Sequence, residues 1–192
     1  MATKTFTAGS VLTSADVNTY CVTVQHLLVE YTFPSANTAL TLSGIPSTYK
    51  HLLLVGIGRG TALANSIEAN LTFNNDSGAN YSRLSWDASD TAATPTGAWS
   101  SDRTSVEAFI FAGDSLSTFS AGSGSLLIPD YADTNWYKSV ISNSAAFTSD
   151  TGILARERRM FWKSTAAINR IDLTASSGNF YAGTRFSLYG LG

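Results

Sequence analysis

The chain has 192 residues and a net charge of −2, and only 14% of its residues are charged. This length suits one domain, or one domain with a small appendage. The weak charge gives no electrostatic reason to expect a nucleic acid or a membrane surface as partner. The single cysteine, Cys21, excludes a disulfide within the chain.

Short neutral polar residues take the place of the missing charges, as is typical of extracellular β-proteins. The sequence nevertheless has no apolar run of about 18 residues that would cross a membrane. Its N-terminus also lacks the apolar region of a signal peptide. We therefore expect synthesis in a cytoplasm, without membrane insertion.

The N-terminal segment has a helical pattern. Thr13 to Asp16 form a weak capping box, and Val17, Tyr20 and Val24 recur at helical spacing after it. We predict one helix over about 14–28, which needs a partner surface to be stable. This partner is either the helix's own domain, or another protein or symmetry mate.

The rest of the chain alternates short apolar segments with turn signals, and we predict about ten strands. They are expected at 28–33, 49–59, 67–73, 81–86, 105–111, 123–128, 136–144, 152–163, 169–174 and 184–192. Residues 87–103 are predicted to form a polar loop. This pattern, without strand–helix alternation, indicates a mainly β protein. We expect an antiparallel β-sandwich, jelly-roll-like, over 31–192, with residues 1–30 as an attachment segment that carries the helix.

The last two strands have clean alternation. Ile171 and Leu173 on one strand, and Phe186 and Leu188 on the next, are expected on one face. Because the chain stops within a core strand, we expect this last strand to close the sheet.

No residue pattern predicts catalysis, a cofactor or a metal site. Neither His26 nor His51 lies in a predicted loop with a nearby acid, so both are expected to be structural or surface histidines. Two histidines and one cysteine do not supply a zinc site. Asp130 and Asp133 lack the spacing of a calcium loop. We expect a protein that is not an enzyme.

One basic cluster spans residues 156–159. In a strand, Arg156 and Arg158 would share one face and Glu157 and Arg159 the other. The cluster either protects a sheet edge from unwanted pairing or contacts a neighbouring subunit. The candidate residues for an oligomer or virion interface are Val17, Tyr20, Val24, Arg156, Arg158 and Arg159.

Four tryptophans invite a comparison with sugar-binding proteins, because aromatic faces stack on sugar rings. Trp86 and Trp162 lie in predicted strands and are expected in the core. Trp99 lies in the predicted polar loop, and Trp136 begins the strand expected at 136–144. These two are the candidate ligand-contact aromatics.

Several segments resemble proteins of tailed-phage virions. Residues 6–18, FTAGSVLTSADVN, resemble the opening of phage tail, tail-tip and fibre proteins. Residues 45–52, IPSTYKHL, resemble an element of phage virion β-domains. Residues 130–138, DYADTNWYK, with 167–171 and 182–190 after them, resemble the ending of the same domains.

The resemblance implies a virion structural protein, made in the host cytoplasm. It would be a minor tail, tail-tip or fibre component that attaches by its N-terminal segment and presents a β-sandwich to the host surface. The implied partners are itself as a homotrimer, other virion proteins and a host cell-surface glycan. Two alternatives stay open: a capsid decoration or head-fibre protein, and a glycan-degrading enzyme.

Overall fold

A computed structural model describes residue 11 and residues 25–90, 94–149 and 152–192. These residues form twelve strands, and no helix occurs among them. The strands are β1 (Gln25–Thr32), β2 (Ala39–Ser43), β3 (His51–Gly58), β4 (Ser66–Phe73), β5 (Tyr81–Ser89), β6 (Thr96–Arg103), β7 (Val106–Ala112), β8 (Gly122–Pro129), β9 (Lys138–Phe147), β10 (Ile153–Trp162), β11 (Arg170–Ala175) and β12 (Arg185–Leu191).

The strands build two antiparallel sheets, so the predicted β-sandwich is confirmed. The large sheet has the order β1-β12-β3-β8-β9-β10-β5-β6, and the small sheet has the order β2-β11-β4-β7. Eight strands, four from each sheet, follow a jelly-roll order, with β1-β12-β3-β8 facing β2-β11-β4-β7. The remaining strands, β9, β10, β5 and β6, lengthen the large sheet beyond β8. We call these four strands the extension.

The jelly-roll interior is packed with aromatic rings. The Phe186 ring centroid lies 5.6 Å from that of Phe180, 5.8 Å from Phe111, 5.9 Å from Phe109 and 6.4 Å from Phe33. All five side chains are buried. This cluster joins strands of both sheets and their connections, so burial of apolar area holds the two layers together.

The last two strands belong to different sheets. Ile171 and Leu173 lie on β11 in the small sheet, whereas Phe186 and Leu188 lie on β12 in the large one. All four are buried, as expected, but they face each other across the core instead of sharing one sheet. The connection crosses between the layers because a jelly roll alternates its strands between sheets.

The predicted N-terminal helix lies mostly outside the described residues, and so do Val17, Tyr20 and Val24. Residues 25–28, the expected end of that helix, are instead extended and belong to β1. The hydrogen bonds between this segment and β12 favour a strand over the helix that its apolar spacing predicts. His26 therefore lies in a strand, and its ring stacks on that of Tyr49 at 5.9 Å.

The predicted polar loop at 87–103 contains a strand. β5 runs on to Ser89, and β6 forms a hairpin with it. β6 is an edge strand with most of its residues exposed, so it needs no apolar alternation to be stable in this position. β2 was also missed from the sequence because it has only five residues.

β7 is an edge strand of the small sheet, and every one of its residues is buried. Its free edge packs on the large sheet. Ser142 Oγ donates a hydrogen bond to the Ala108 carbonyl, and the Ile110 N–H donates to Ser144 Oγ at 3.3 Å. Gly122 permits this approach, since a Cβ there would lie 2.5 Å from the Ile110 carbonyl oxygen. Serine hydroxyls thus replace the missing neighbouring strand.

In the part of the chain that the structure describes, no helix is long and apolar enough to cross a membrane.

Candidate functional site

A groove runs across the outer face of the large sheet, the face turned away from the small sheet. Its floor is a row of small side chains, each directly opposite the next on the neighbouring strand: Ser123, Ala145, Ala155 and Ala88. Because no side chain in this row reaches beyond a methyl or hydroxyl group, the row forms a trough between larger neighbours. Most of the floor belongs to the extension.

One wall of the groove is polar and ends in an aromatic ring. It consists of Ser125, Asn143, Glu157 and Trp86, again paired directly from strand to strand. Four neighbouring strands at about 4.8 Å spacing make this row about 14 Å long. The wall therefore offers hydroxyl, amide and carboxylate groups in line with one indole.

The other wall is apolar. Phe147 and Ile153 are paired across β9 and β10, and both side chains are about half exposed. The groove has a volume of about 720 Å³, within the range of small-molecule sites, and a second hollow of about 240 Å³ adjoins it beside Phe147. We call the two hollows together the outer groove.

The polar groups of the outer groove are available to a ligand. In the described ranges, no group of the chain hydrogen-bonds to the amide of Asn143 or to the hydroxyls of Ser123 and Ser125. Glu157 accepts one hydrogen bond, from Arg159 beside it on the same face. An ionised carboxylate has further acceptor positions, so Glu157 still has capacity for a ligand.

Trp86 lies on this outer face, which corrects its predicted place in the core. Tyr81, Ser85 and Asp87 alternate towards the small sheet, so Trp86 must point the other way, and it is 44% exposed. Its neighbour on β6 is Gly97, which has no side chain to cover the indole. Trp162 is buried as expected.

Of the two predicted ligand aromatics, one lies near the outer groove. Trp99 is 76% exposed on β6, opposite Leu84 and thus on the same face as Trp86. Trp136 is 74% exposed, but it precedes β9 at the other end of the strand. Lys138 and Ala145 are seven residues apart, so about 23 Å separates Trp136 from the groove floor.

Beneath the outer groove, a charged layer fills the space between the two sheets. Four arginines of the extension reach towards acids on β4, β5 and β7. The members of the layer are Arg83, Arg103, Arg156, Arg158, Glu68, Asp87 and Glu107. Arg158 is 2% exposed; its Nη2 lies 3.0 Å from Glu68 Oε1, and its Nη1 donates to the Glu107 carbonyl at 2.6 Å.

The charged layer revises the interpretation of the basic cluster. Arg156 and Arg158 share one face, as predicted, but that face is the inner one, and both contact Glu68 of the same chain. The prediction that this cluster protects a sheet edge is wrong, because β10 is an interior strand between β9 and β5. Arg159 remains on the outer face and is still a candidate for an interface.

Glu68 is the acid that two arginines share. Burial alone would raise the pKa of this carboxyl, but the charges and hydrogen bonds of Arg158 and Arg156 outweigh burial and lower the pKa below its ordinary value. Burial lowers the pKa of Arg158 in turn, against the opposing effect of Glu68. Glu68 is therefore ionised at neutral pH.

Segments 45–52, 130–138 and 167–171 meet at the end of the sandwich away from the groove. The Tyr131 hydroxyl donates to the Pro46 carbonyl, and the Tyr131 carbonyl accepts from the Ile168 N–H at 2.9 Å. The Ile45 N–H donates to the Asn169 carbonyl at 3.1 Å. These contacts join segments from distant parts of the sequence, so the motifs have an architectural role.

Two further contacts complete this end, which we call the motif end. The Tyr49 ring covers Gly190 so closely that a Cβ there would collide with it. The buried Lys138 ammonium donates to three carbonyls, of Asp133 at 2.6 Å, Trp136 at 3.0 Å and Thr165 at 3.2 Å. Burial lowers the pKa of Lys138.

No protein-family model matches the chain, and no curated protein matches it. Among the described residues, no three acidic, histidine or cysteine side chains lie together in a way that would hold a metal ion.

Proposed function

We propose that this chain is a structural protein of a tailed-phage virion, a tail, tail-tip or fibre component that presents its jelly-roll domain outward. One observation carries the proposal: three of the segments that resemble phage virion domains, 45–52, 130–138 and 167–171, pack against one another at the motif end. They are distant in sequence, yet each fits the next through specific hydrogen bonds. Motifs of this kind specify a domain architecture, as expected for a structural protein.

The position of the N-terminal segment supports an attachment role. The described part of β1 begins at Gln25, whose partner on β12 is Leu191, and Leu191 in turn pairs with His51 on β3. The described part of β1 therefore begins at the motif end. Along β3, the row of the groove floor lies six residues further on, at Ile57, about 20 Å away. Attachment at one end would leave the outer groove accessible.

The arrangement of acids favours binding over the alternative of glycan cleavage. Hydrolysis of a glycosidic bond generally needs two carboxyl groups that flank the bond. Glu157 points into the groove, but Asp87 is held by Arg156 Nε at 3.0 Å on the inner side of the sheet. A capsid decoration or head-fibre protein of the same build is the second candidate, since attachment at the motif end is compatible with a position on the tail or on the capsid.

Immunogold labelling of purified virions tests the proposal and separates the candidates. Antibody against this chain is expected to label the tail or its tip. Labelling of the head would favour the capsid alternative, and unlabelled virions would refute a virion role.

A deletion tests the attachment segment. Removing residues 1–24 stops short of β1, so the sandwich should stay folded while incorporation into virions is lost. The matched control is the full chain expressed in the same host. Normal incorporation of the shortened chain would show that attachment resides elsewhere.

Assembly as a homotrimer is part of the proposal, with Val17, Tyr20, Val24 and Arg159 as interface candidates. Val24→Asp would place an unpaired charge in such an interface and should dissociate the trimer without unfolding the sandwich. Sedimentation of the purified chain measures this. A monomeric wild-type chain at micromolar concentration would refute a trimer that is stable in solution.

A further inference from the structure

We propose that the outer groove is a binding site for a neutral oligosaccharide, with one sugar ring stacked on Trp86 beside Glu157 and the following ring bonded to Asn143 and Ser125. This inference rests on the proposed function, in which the groove faces a host surface.

The aromatic contact comes first. Sugar rings present C–H groups on their faces, and these pack against the π-face of an indole. Trp86 is nearly half exposed at the end of the polar wall. A Cβ added at Gly97 would lie 4.0 Å from Trp86 Cδ1, so any larger residue at this position would contact the indole. The glycine therefore keeps the side of the ring open.

The polar wall matches the hydroxyls of a sugar. Sugar hydroxyls lie around the rim of the ring and both donate and accept hydrogen bonds. Asn143 offers an amide that does the same, Ser125 a hydroxyl, and Glu157 a carboxylate that accepts. The three side chains lie in one row that begins next to Trp86, so a ring stacked on Trp86 would have its rim at Glu157, and the next ring of the chain would lie along Asn143 and Ser125.

The charges favour a neutral ligand over an anionic one. The Arg156 guanidinium, in the charged layer beneath the groove, is bonded to Asp87 and Glu68. Arg159, on the outer face, is bonded to Glu157. The groove residues described here thus leave no unpaired cation for a phosphate, sulfate or sugar acid.

The floor explains how a ring could approach the wall. Ala145 and Ala155 lie side by side on β9 and β10, and neither side chain extends beyond a methyl group. A tryptophan at Ala145 would fill the trough without removing any polar group. The variant Ala145→Trp therefore blocks the site by shape alone.

The experiment uses the purified full chain on an array of neutral and anionic oligosaccharides, followed by titration calorimetry with the strongest neutral ligand. We expect binding to neutral members of the array. Trp86→Ala, Asn143→Ala and Ala145→Trp should each weaken binding at least tenfold. Trp136→Ala is the control, because Trp136 is a still more exposed tryptophan at the other end of β9, and it should leave affinity unchanged. Circular dichroism confirms that each variant is folded.

Three outcomes would overturn the inference: no neutral saccharide bound, binding to anionic members alone, or affinity that the groove variants leave unchanged. Sedimentation that shows the wild-type chain associated and Ala145→Trp monomeric, with no saccharide bound, would assign the face to a second copy of the chain. Virion labelling without saccharide binding would refute this inference and leave the proposed function standing. Saccharide binding without virion labelling would refute the proposed virion function and leave the saccharide site standing.

Discussion

The jelly-roll half and the extension half of the sandwich are filled in different ways. Between β1-β12-β3-β8 and the small sheet, aromatic and aliphatic side chains meet directly. Beneath the extension, arginines reach across to Glu68 and Glu107. The small sheet has only four strands, so it does not cover the full width of the eight-stranded sheet. Long charged side chains fill a space that apolar ones would leave partly empty.

This difference separates stability from function within one sheet. The aromatic half supplies most of the apolar burial that stabilises folding. The charged half contributes little net stability, because desolvation of the ions offsets their attraction. What the charged layer does is fix β10 and β5 against the small sheet, and their outer faces carry the floor and polar wall of the outer groove.

The largest effect is expected in the aromatic half. Phe186→Ala removes the ring that contacts four other phenylalanines and should lower the free energy of unfolding by about 3–5 kcal/mol. Chemical denaturation measures the change. Phe119→Ala is the control, since Phe119 is 94% exposed and its loss should cost no more than about 0.5 kcal/mol. Equal costs for both would contradict the assignment of the core.

The second effect concerns the charged half. Glu68→Gln removes the carboxylate that Arg156 and Arg158 share, and should cost about 3 kcal/mol by leaving the buried Arg158 without that ion pair. Arg158→Met should cost only about 1–2 kcal/mol, chiefly for the unpaired Glu107 carbonyl, because Glu68 keeps Arg156. Urea unfolding of both variants gives the comparison, and the reverse order would show that the cation is the stabilising partner.

A smaller effect follows from the lowered pKa of Glu68. An acid whose pKa is lower in the folded chain stabilises it fully above its ordinary pKa of 4.5 and loses this contribution as the pH falls through the folded pKa. The stability difference between wild type and Glu68→Gln should therefore be constant near neutral pH and narrow below about pH 4.5. Denaturation at several pH values measures it, and a difference that persists in acid would contradict the ionic origin.

The smallest effect is expected on the outer face. Trp86→Ala should change the free energy of unfolding by less than about 1 kcal/mol. The Trp86 ring is already nearly half exposed, and its neighbour on β6, Gly97, has no side chain to pack against it. Thermal melting suffices to detect a larger change. A loss comparable to that of Phe186→Ala would make Trp86 a core residue after all.

From the sequence, all but one strand of each half is predicted: β2 is missed in the jelly-roll half and β6 in the extension. Alternation at Ile67–Phe73 and at Phe186 and Leu188 identified β4 and β12, because one face of each strand is buried against apolar neighbours. β6 has no such face, so its polar residues predict a loop. The alternation of apolar and polar residues indicates a strand with one buried face, so an edge strand exposed on both faces has no alternation to reveal it.

The outer groove escaped prediction for a related reason. Which face of β5 or β10 points outward depends on which sheet covers it, and that is decided by strands far away in the sequence. Arg158 and Glu68 are 90 residues apart, and nothing near either residue marks the pair. Trp99 was correctly expected to be exposed, since its segment is polar throughout, whereas Trp86 was assigned to the core because strand tryptophans are often buried.

The place of β12 bears on how the protein is made. β12 leaves the ribosome after the other eleven described strands, yet it lies between β1 and β3, and Glu30 on β1 bonds to Ser187, which is 157 residues later. While the chain is being synthesised, β1 has no neighbour and β3 has an open edge that another nascent chain can pair with. The large sheet therefore cannot grow in the order of translation, and it closes in one late step when β12 inserts.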